Sequence, residues 1–207
     1  MQTDLAVLIP AAGASTRMRG RDKLMETVGG LPVLAAVVRR ALGLTADVTV
    51  TLPPGPLAEA RRGAIAAYDK VRLVDVADAQ TGMSASFRAA LPLIAGPVQR
   101  VLVVPADMPD ITLEDMRRVS AAVDRNKGKT ISRGATEDGR PGHPVCFDRT
   151  HFPKLAVLIG DQGARDVLLA QQAALVHVPL PGNHAVTDLD TPEDWSLWRA
   201  ARGDPAL

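Results

Sequence analysis

An α/β fold built on a mostly parallel sheet is what this sequence predicts, on three observations. Strand-like and helix-like runs alternate over the first two thirds of the chain, the rhythm of parallel strands joined by helical crossovers. Residues 5–10 form a continuous apolar run, as expected of a central strand covered on both faces, and residues 48–52, 71–76 and 101–104 resemble it. With 207 residues, 46% hydrophobic and 23% charged, the chain has the size and composition of one ordinary domain with a continuous core, so a single domain over residues 1–207 is expected.

The elements follow in order. After the first strand, residues 32–44 carry Val33, Val37, Val38, Ala41 and Leu42 at helical spacing beside Arg39 and Arg40, an amphipathic helix that packs on the sheet. The next strands are residues 48–52 and 71–76, followed by a helix over 84–93 and the strand 101–104. Residues 113–123 form a helix entered through Thr112, whose hydroxyl can cap it. The rhythm then changes: a polar, glycine-rich stretch over 133–142 leads into a strand at 144–147 and short helical pieces at 152–158 and 164–171. Residues 126–175 are therefore expected to form a substrate-facing excursion. Residues 175–178 and 185–189 read as late strands, and Pro192 suits the first turn of a closing helix over 191–201. Residues 203–207 read as a loose tail.

Composition removes several function classes. A formal charge of +1 leaves no broad basic surface for a nucleic acid. A lone cysteine, Cys146, forms no internal disulfide and fits a reducing compartment. No run reaches the ~20 apolar residues of a membrane span, and the amino end enters a strand-like run directly. A cytoplasmic protein without nucleic-acid or membrane partners is expected.

The chemistry gathers after the first strand, where Pro10, Ala11, Ala12, Gly13, Ala14, Ser15 and Thr16 form a small-residue loop followed by Arg17 and Lys23. Small residues beyond a strand's carboxyl end let backbone N–H groups approach phosphate oxygens. Arg17 offers a planar fork and Lys23 a point charge to the same oxygens. The spacing matches neither GxxxxGK[ST] nor GxGxxG, which removes the main support for an ATPase or a dehydrogenase. A polar surface loop remains the plain alternative. Asp107, at the end of strand 101–104, can hold magnesium, or merely sit in the turn before Pro109. Asp188 and Asp190, two apart, would share one face of a strand and address one ion, while helix capping competes for Asp190 or Thr191.

Together these residues resemble the molybdenum cofactor nucleotidyltransferases, most closely the cytidylyltransferase branch. The likeness spans nearly the whole chain: Ala11-Ala-Gly-Ala-Ser-Thr-Arg17-Met with Lys23-Leu, Gly82-Met-Ser-Ala-Ser86, Pro105-Ala-Asp-Met-Pro109, Gly142-His-Pro-Val145, Gly160-Asp-Gln-Gly-Ala-Arg165 and Asp188-Leu-Asp-Thr-Pro-Glu-Asp194. It implies a Rossmann-like three-layer α/β/α nucleotidyltransferase fold that binds CTP and Mg2+. The terminal phosphate of molybdopterin, or of its metal-loaded form, would attack the α-phosphorus and release pyrophosphate. Carried over residue by residue, Ala11, Ala12, Gly13, Ala14, Ser15, Arg17 and Lys23 would bind the nucleotide's phosphates, and Gly82, Ser84 and Ser86 would lie beside its base and ribose. Ser84 as a helix cap would explain the same letters. Arg17, Lys23 and Asp107 would be catalytic, Asp107, Asp188 and Asp190 would hold the metal, and His143 and Arg165 would meet the acceptor. Ala12, where the guanylyl branch has glycine, favours CTP over GTP. Pro10 replaces the usual aliphatic residue, and Arg19 and Arg21 make the following stretch longer and more basic than the common form. An apo-molybdoenzyme or its chaperone would receive the product. The rivals are guanylyl transfer, transfer to another phosphorylated metabolite, and a non-catalytic nucleotide-binding protein that delivers the cofactor.

Overall fold

The computed structural model describes residues 4–94, 96–160 and 163–203. Strand β1 (Leu5–Pro10) is followed by a small hairpin of β2 (Thr27–Val28) and β3 (Leu31–Pro32), helix α1 (Val33–Leu42), β4 (Val48–Leu52), α2 (Pro56–Ile65), β5 (Arg72–Asp75) and α3 (Met83–Ala90). Next come β6 (Arg100–Val103), α4 (Leu113–Ala121), β7 (Ile131–Ala135), β8 (Pro141–Asp148), α5 (Phe152–Leu155), α6 (Arg165–Ala170), β9 (Leu175–Pro179) and α7 (Pro192–Ala200).

Seven strands form one sheet in the order β5-β4-β1-β6-β8-β7-β9. Strands β5, β4, β1 and β6 are parallel; β8 runs antiparallel to β6 and β7, and β9 returns parallel to β7. Alternation along a strand sends successive side chains to opposite faces. Leu5, Val7 and Ile9 accordingly join the core under α1, α2, α4 and α7, whereas Ala6 and Leu8 join the one under α3, α5 and α6. The mostly parallel sheet is the α/β class the sequence predicts, and its two helical layers give the three-layer α/β/α fold that the resemblance implies.

Three elements differ from expectation. Helix α2 has no counterpart in the sequence reading: its buried face is Ala58, Arg61 and Ile65, and an arginine interrupts the apolar stripe. Strand β7 lies at the start of the polar, glycine-rich stretch, where Ser132 and Gly134 hide its period, and it pairs on both edges. Residues 185–189 are not a strand. Val186 and Thr187 donate to the Asn183 carbonyl in a turn, and Ala185 and Leu189 reach the core from irregular backbone. Residues 126–175 contribute β7 and β8 to the main sheet. Of the tail, residues 204–207 lie outside the described residues, as do Asp161 and Gln162 of the motif before Arg165.

Candidate active site

Strands β1 and β6 end side by side, and the loop leaving β1 opens there. The Ala11 N–H donates to the Thr51 carbonyl at 3.1 Å, and the Thr51 hydroxyl donates to Ser86 Oγ at 2.9 Å. The loop thus leaves the sheet from a fixed footing. Ser15 then adopts the left-handed region, with φ of 52°, and turns the chain into the short helical turn Thr16–Met18. A Cβ at Gly13 would meet nothing within 4 Å, so the loop's outer side is open to a ligand.

Below the loop lies a residue that the sequence reading missed. Arg61 of α2 is fully buried and donates through Nε and Nη2 to Asp22 at 2.8 Å each, and through Nη1 to the carbonyls of Ala11 at 2.7 Å and Gly13 at 2.8 Å. Nothing in the letters of α2 marks it, because an arginine on a polar helix reads as solvated. Burial alone would raise the Asp22 carboxyl, but hydrogen bonds and charge from Arg61 hold it below the usual carboxylate range.

Lys23 reaches across to the end of β6, where its Nζ donates to Asp107, and to Asp190 at 2.6 Å. Arg17 pairs with the other oxygen of Asp190 at 2.6 Å. Desolvation works against the Lys23 charge, yet Asp107 and Asp190 outweigh it and raise its pKa. One carboxylate oxygen each from Asp107, Asp188 and Asp190 lie within 4.8 Å of one another. Three hard oxygen donors at this separation fit a divalent cation of the magnesium or manganese kind. Asp188 is open to solvent on one side; desolvation on the other, with the charges of Asp107 and Asp190, pushes its carboxyl up to about 6 against Lys23 and Arg17. Negative charge thus exceeds what the two cations neutralise. Arg19 and Arg21 lie outside this cluster, paired with Glu193 and Glu26 at 2.8 and 3.1 Å.

The acidic segment is positioned without being a strand. The His143 N–H donates to the Ala185 carbonyl at 2.8 Å, a crossing that requires glycine at 142, since a Cβ there would lie 1.8 Å from that oxygen. The Leu189 N–H donates to the Asp107 carbonyl at 3.4 Å, joining the two acidic segments directly. Thr191 caps α7 in a reciprocal box with Asp194, whose carboxylate also accepts the Asp190 N–H at 3.2 Å. Capping therefore falls to Thr191, and the Asp190 side chain is left to Lys23 and Arg17.

Beside this cluster is a cavity of about 410 Å³ whose lining includes Met83, Phe87, Arg133, His143, Arg165 and His177. Desolvation, helped by the Arg133 charge and opposed by Asp107, lowers His143 to about 4, and its buried Nδ1 has no partner among the described residues. The imidazole is neutral at ordinary pH. Arg165, exposed at the start of α6, has no ion pair among the described residues. Gly82, at φ of 103°, precedes α3 as its cap residue, which displaces Ser84 from the capping role; Ser84 Oγ is buried with no partner among the described residues. Ser86 is buried and occupied with Thr51, a brace for the loop. The Ala12 methyl packs on Val76 and Ala85.

A family model described as the MobA-like NTP transferase domain matches residues 7–175. The chain belongs to this family. The nucleotidyltransferase is similar to 2-C-methyl-D-erythritol 4-phosphate cytidylyltransferase of Salinibacter ruber, 28% identical over 95% of this chain and 92% of that protein. It is also similar to the bifunctional protein GlmU of Alkalilimnicola ehrlichii, 36% identical over 62% of this chain, an alignment that spans only 27% of GlmU. Among solved structures, Rv0371c of Mycobacterium tuberculosis superposes with a TM-score of 0.81 at 28% identity, covering 95% of this chain and 97% of that one. A manganese complex of Rv0371c superposes at 0.76 and 26% identity, covering 94% and 97%. In the nucleotidyltransferase itself, no described helix is long and apolar enough to cross a membrane.

Proposed function

We propose that this nucleotidyltransferase moves CMP from CTP to the terminal phosphate of molybdopterin or its metal-loaded form and releases pyrophosphate. The observation that carries the reading is the convergence of Lys23 with Asp107 and Asp190 beside the open loop after β1. Nucleotidyl transfer needs alignment and neutralisation of phosphate charge more than a covalent helper. An acceptor phosphate oxygen bonds to the α-phosphorus, the bond to the bridging oxygen breaks, and pyrophosphate leaves with that electron pair.

In this reading the backbone N–H groups of Ala12, Gly13 and Ala14 receive the triphosphate, while Arg17 and Lys23 neutralise it and turn from their carboxylate partners to do so. Asp107, Asp188 and Asp190 would hold Mg2+, which when bound supplies neutralisation of phosphate oxygens. The manganese complex of Rv0371c supports a divalent ion. Ser84, whose buried hydroxyl has no partner among the described residues, and Gly82 would lie on the base side. The largely apolar cavity with Arg133, His143 and Arg165 suits an acceptor with a flat ring body and an anionic end. The choice of CTP rests on Ala12 and is supported by the name of the Salinibacter relative. Cys146, buried and pushed up to about 12 by burial, is inert, which suits a cytoplasmic location. An apo-molybdoenzyme or its chaperone would take the product.

The deciding assay incubates the protein with molybdopterin, Mg2+ and a mixture of NTPs and identifies the nucleotide attached. Cytidylylated molybdopterin is the expected product. Transfer from GTP alone would remove the cytidylyl reading, and pyrophosphate release only with another phosphorylated acceptor would remove molybdopterin. Nucleotide binding without turnover would leave a delivery protein in its place.

A further inference from the structure

Arg61 takes no part in the chemistry above, yet its donors end on the loop that does and on Asp22 beside it. We propose that Arg61, held by Asp22, is the positioning residue of the triphosphate loop, drawing its carbonyls inward so that the N–H groups of Ala12 and Ala14 face the ligand. The proposal rests on the reading of that loop as the triphosphate site.

The guanidinium has five N–H donors in a rigid fork, and each has an acceptor. Nε meets Asp22 Oδ2 at 2.8 Å; Nη1 meets the Ala11 carbonyl at 2.7 Å and the Gly13 carbonyl at 2.8 Å. Nη2 meets Asp22 Oδ1 at 2.8 Å and Ser15 Oγ at 3.3 Å. In a trans peptide the carbonyl and the following N–H point in opposite directions. With the Ala11 and Gly13 carbonyls on Arg61, the N–H groups of Ala12 and Ala14 face the opposite side. Among the described residues neither N–H has a backbone acceptor. Two outward donors with a glycine between them make an anion-binding concavity.

The same anchor sets the root of Lys23. Asp22 Oδ1 also accepts the Ser15 hydroxyl and the Leu24 N–H at 3.0 Å each, and Ser15 Oγ accepts the Lys23 N–H at 3.3 Å. Loop carbonyls, Ser15 and the backbone of Lys23 are thus tied to one guanidinium. Stability alone does not account for this arrangement, because buried ion pairs are often replaced by apolar residues without loss of stability. Lysine cannot reproduce it, having a tetrahedral head in place of the fork.

The test compares the wild type with Arg61→Lys and with the double variant Arg61→Met, Asp22→Leu, which removes the pair but keeps the bulk. Thermal midpoint, calorimetric binding of inorganic tripolyphosphate and of CTP, and amide hydrogen exchange over residues 11–16 are read on each, well below the midpoint. The double variant is expected to melt within about 5 °C of wild type, bind tripolyphosphate about 30-fold more weakly, and exchange its loop amides faster. Arg61→Lys should lie between, and it decides the matter if the double variant does not fold. Wild-type affinity and exchange in a folded variant would overturn the proposal, as would an affinity loss no larger than the unfolded fraction explains. If the wild type binds neither CTP nor tripolyphosphate, the loop reading itself fails, and the Arg61 proposal falls with it.

Discussion

At the scale of single residues, Lys23 decides most, because in this chain it answers two carboxylates and in the proposed reaction it must also answer a phosphate. Lys23→Ala removes a desolvated charge from the point where phosphate charge develops, so CTP-dependent pyrophosphate release should fall by about 10²-fold or more with a raised KM for CTP. Unchanged CTP affinity and turnover would remove Lys23 from the triphosphate. Asp107→Ala should abolish turnover and weaken manganese binding, read by titration of the ion. His143 carries a pH dependence of defined sign. Its folded pKa of about 4 lies below the ordinary 6.5, so between these values the unfolded chain binds the extra proton. The stability it contributes is complete above pH ~6.5 and is lost as pH falls toward 4, about 1–3 kcal/mol in all. Urea midpoints of wild type and His143→Gln at pH 7 and pH 4.5 measure this, and the variant should show the smaller drop.

At the scale of elements, the acidic segment is positioned by what flanks it. Thr191→Ala removes the cap of α7 and should cost about 1 kcal/mol in urea unfolding. Because Asp194 also accepts the Asp190 N–H, manganese affinity should weaken as well. Two glycines separate structure from binding. Gly142→Ala places a methyl against the Ala185 carbonyl and should lower the thermal midpoint and loosen the segment behind it. Gly13→Ala meets open space, so the midpoint should be nearly unchanged while CTP binding weakens. Regular elements were legible where their period was clean: α1, α4 and α7 with Thr112 and Thr191 at their starts lie where the letters place them. Helix α2 was hidden because its buried face uses Arg61, and residues 185–189 misled because apolar side chains reach the core equally well from a turn.

At the scale of the molecule, the loop and the three acids lie along the ends of β1 and β6, and the antiparallel β8 brings His143 to the same region. The cavity is lined from β6, β7, β8, β9, α3 and α6, so in the proposed reaction its selectivity for an acceptor would belong to no single segment. Arg165, exposed on its rim and without an ion pair among the described residues, allows a selective test. Arg165→Glu should raise KM for the acceptor by about 10-fold or more, the loss of one charge-assisted contact, and leave KM for CTP unchanged. An equal effect on both would place Arg165 elsewhere.

The sequence by itself determined the α/β class, the central strands, and the small-residue loop, cations and acids that would meet a nucleotide. These are local properties: apolar runs, caps and residue chemistry are written in neighbouring letters. Tertiary structure alone decided that Lys23 meets Asp107 and Asp190 and that Arg61 lies under the loop. Those contacts join residues dozens to more than a hundred positions apart. Spacing along the chain carries no information about them until the sheet order brings its edges together.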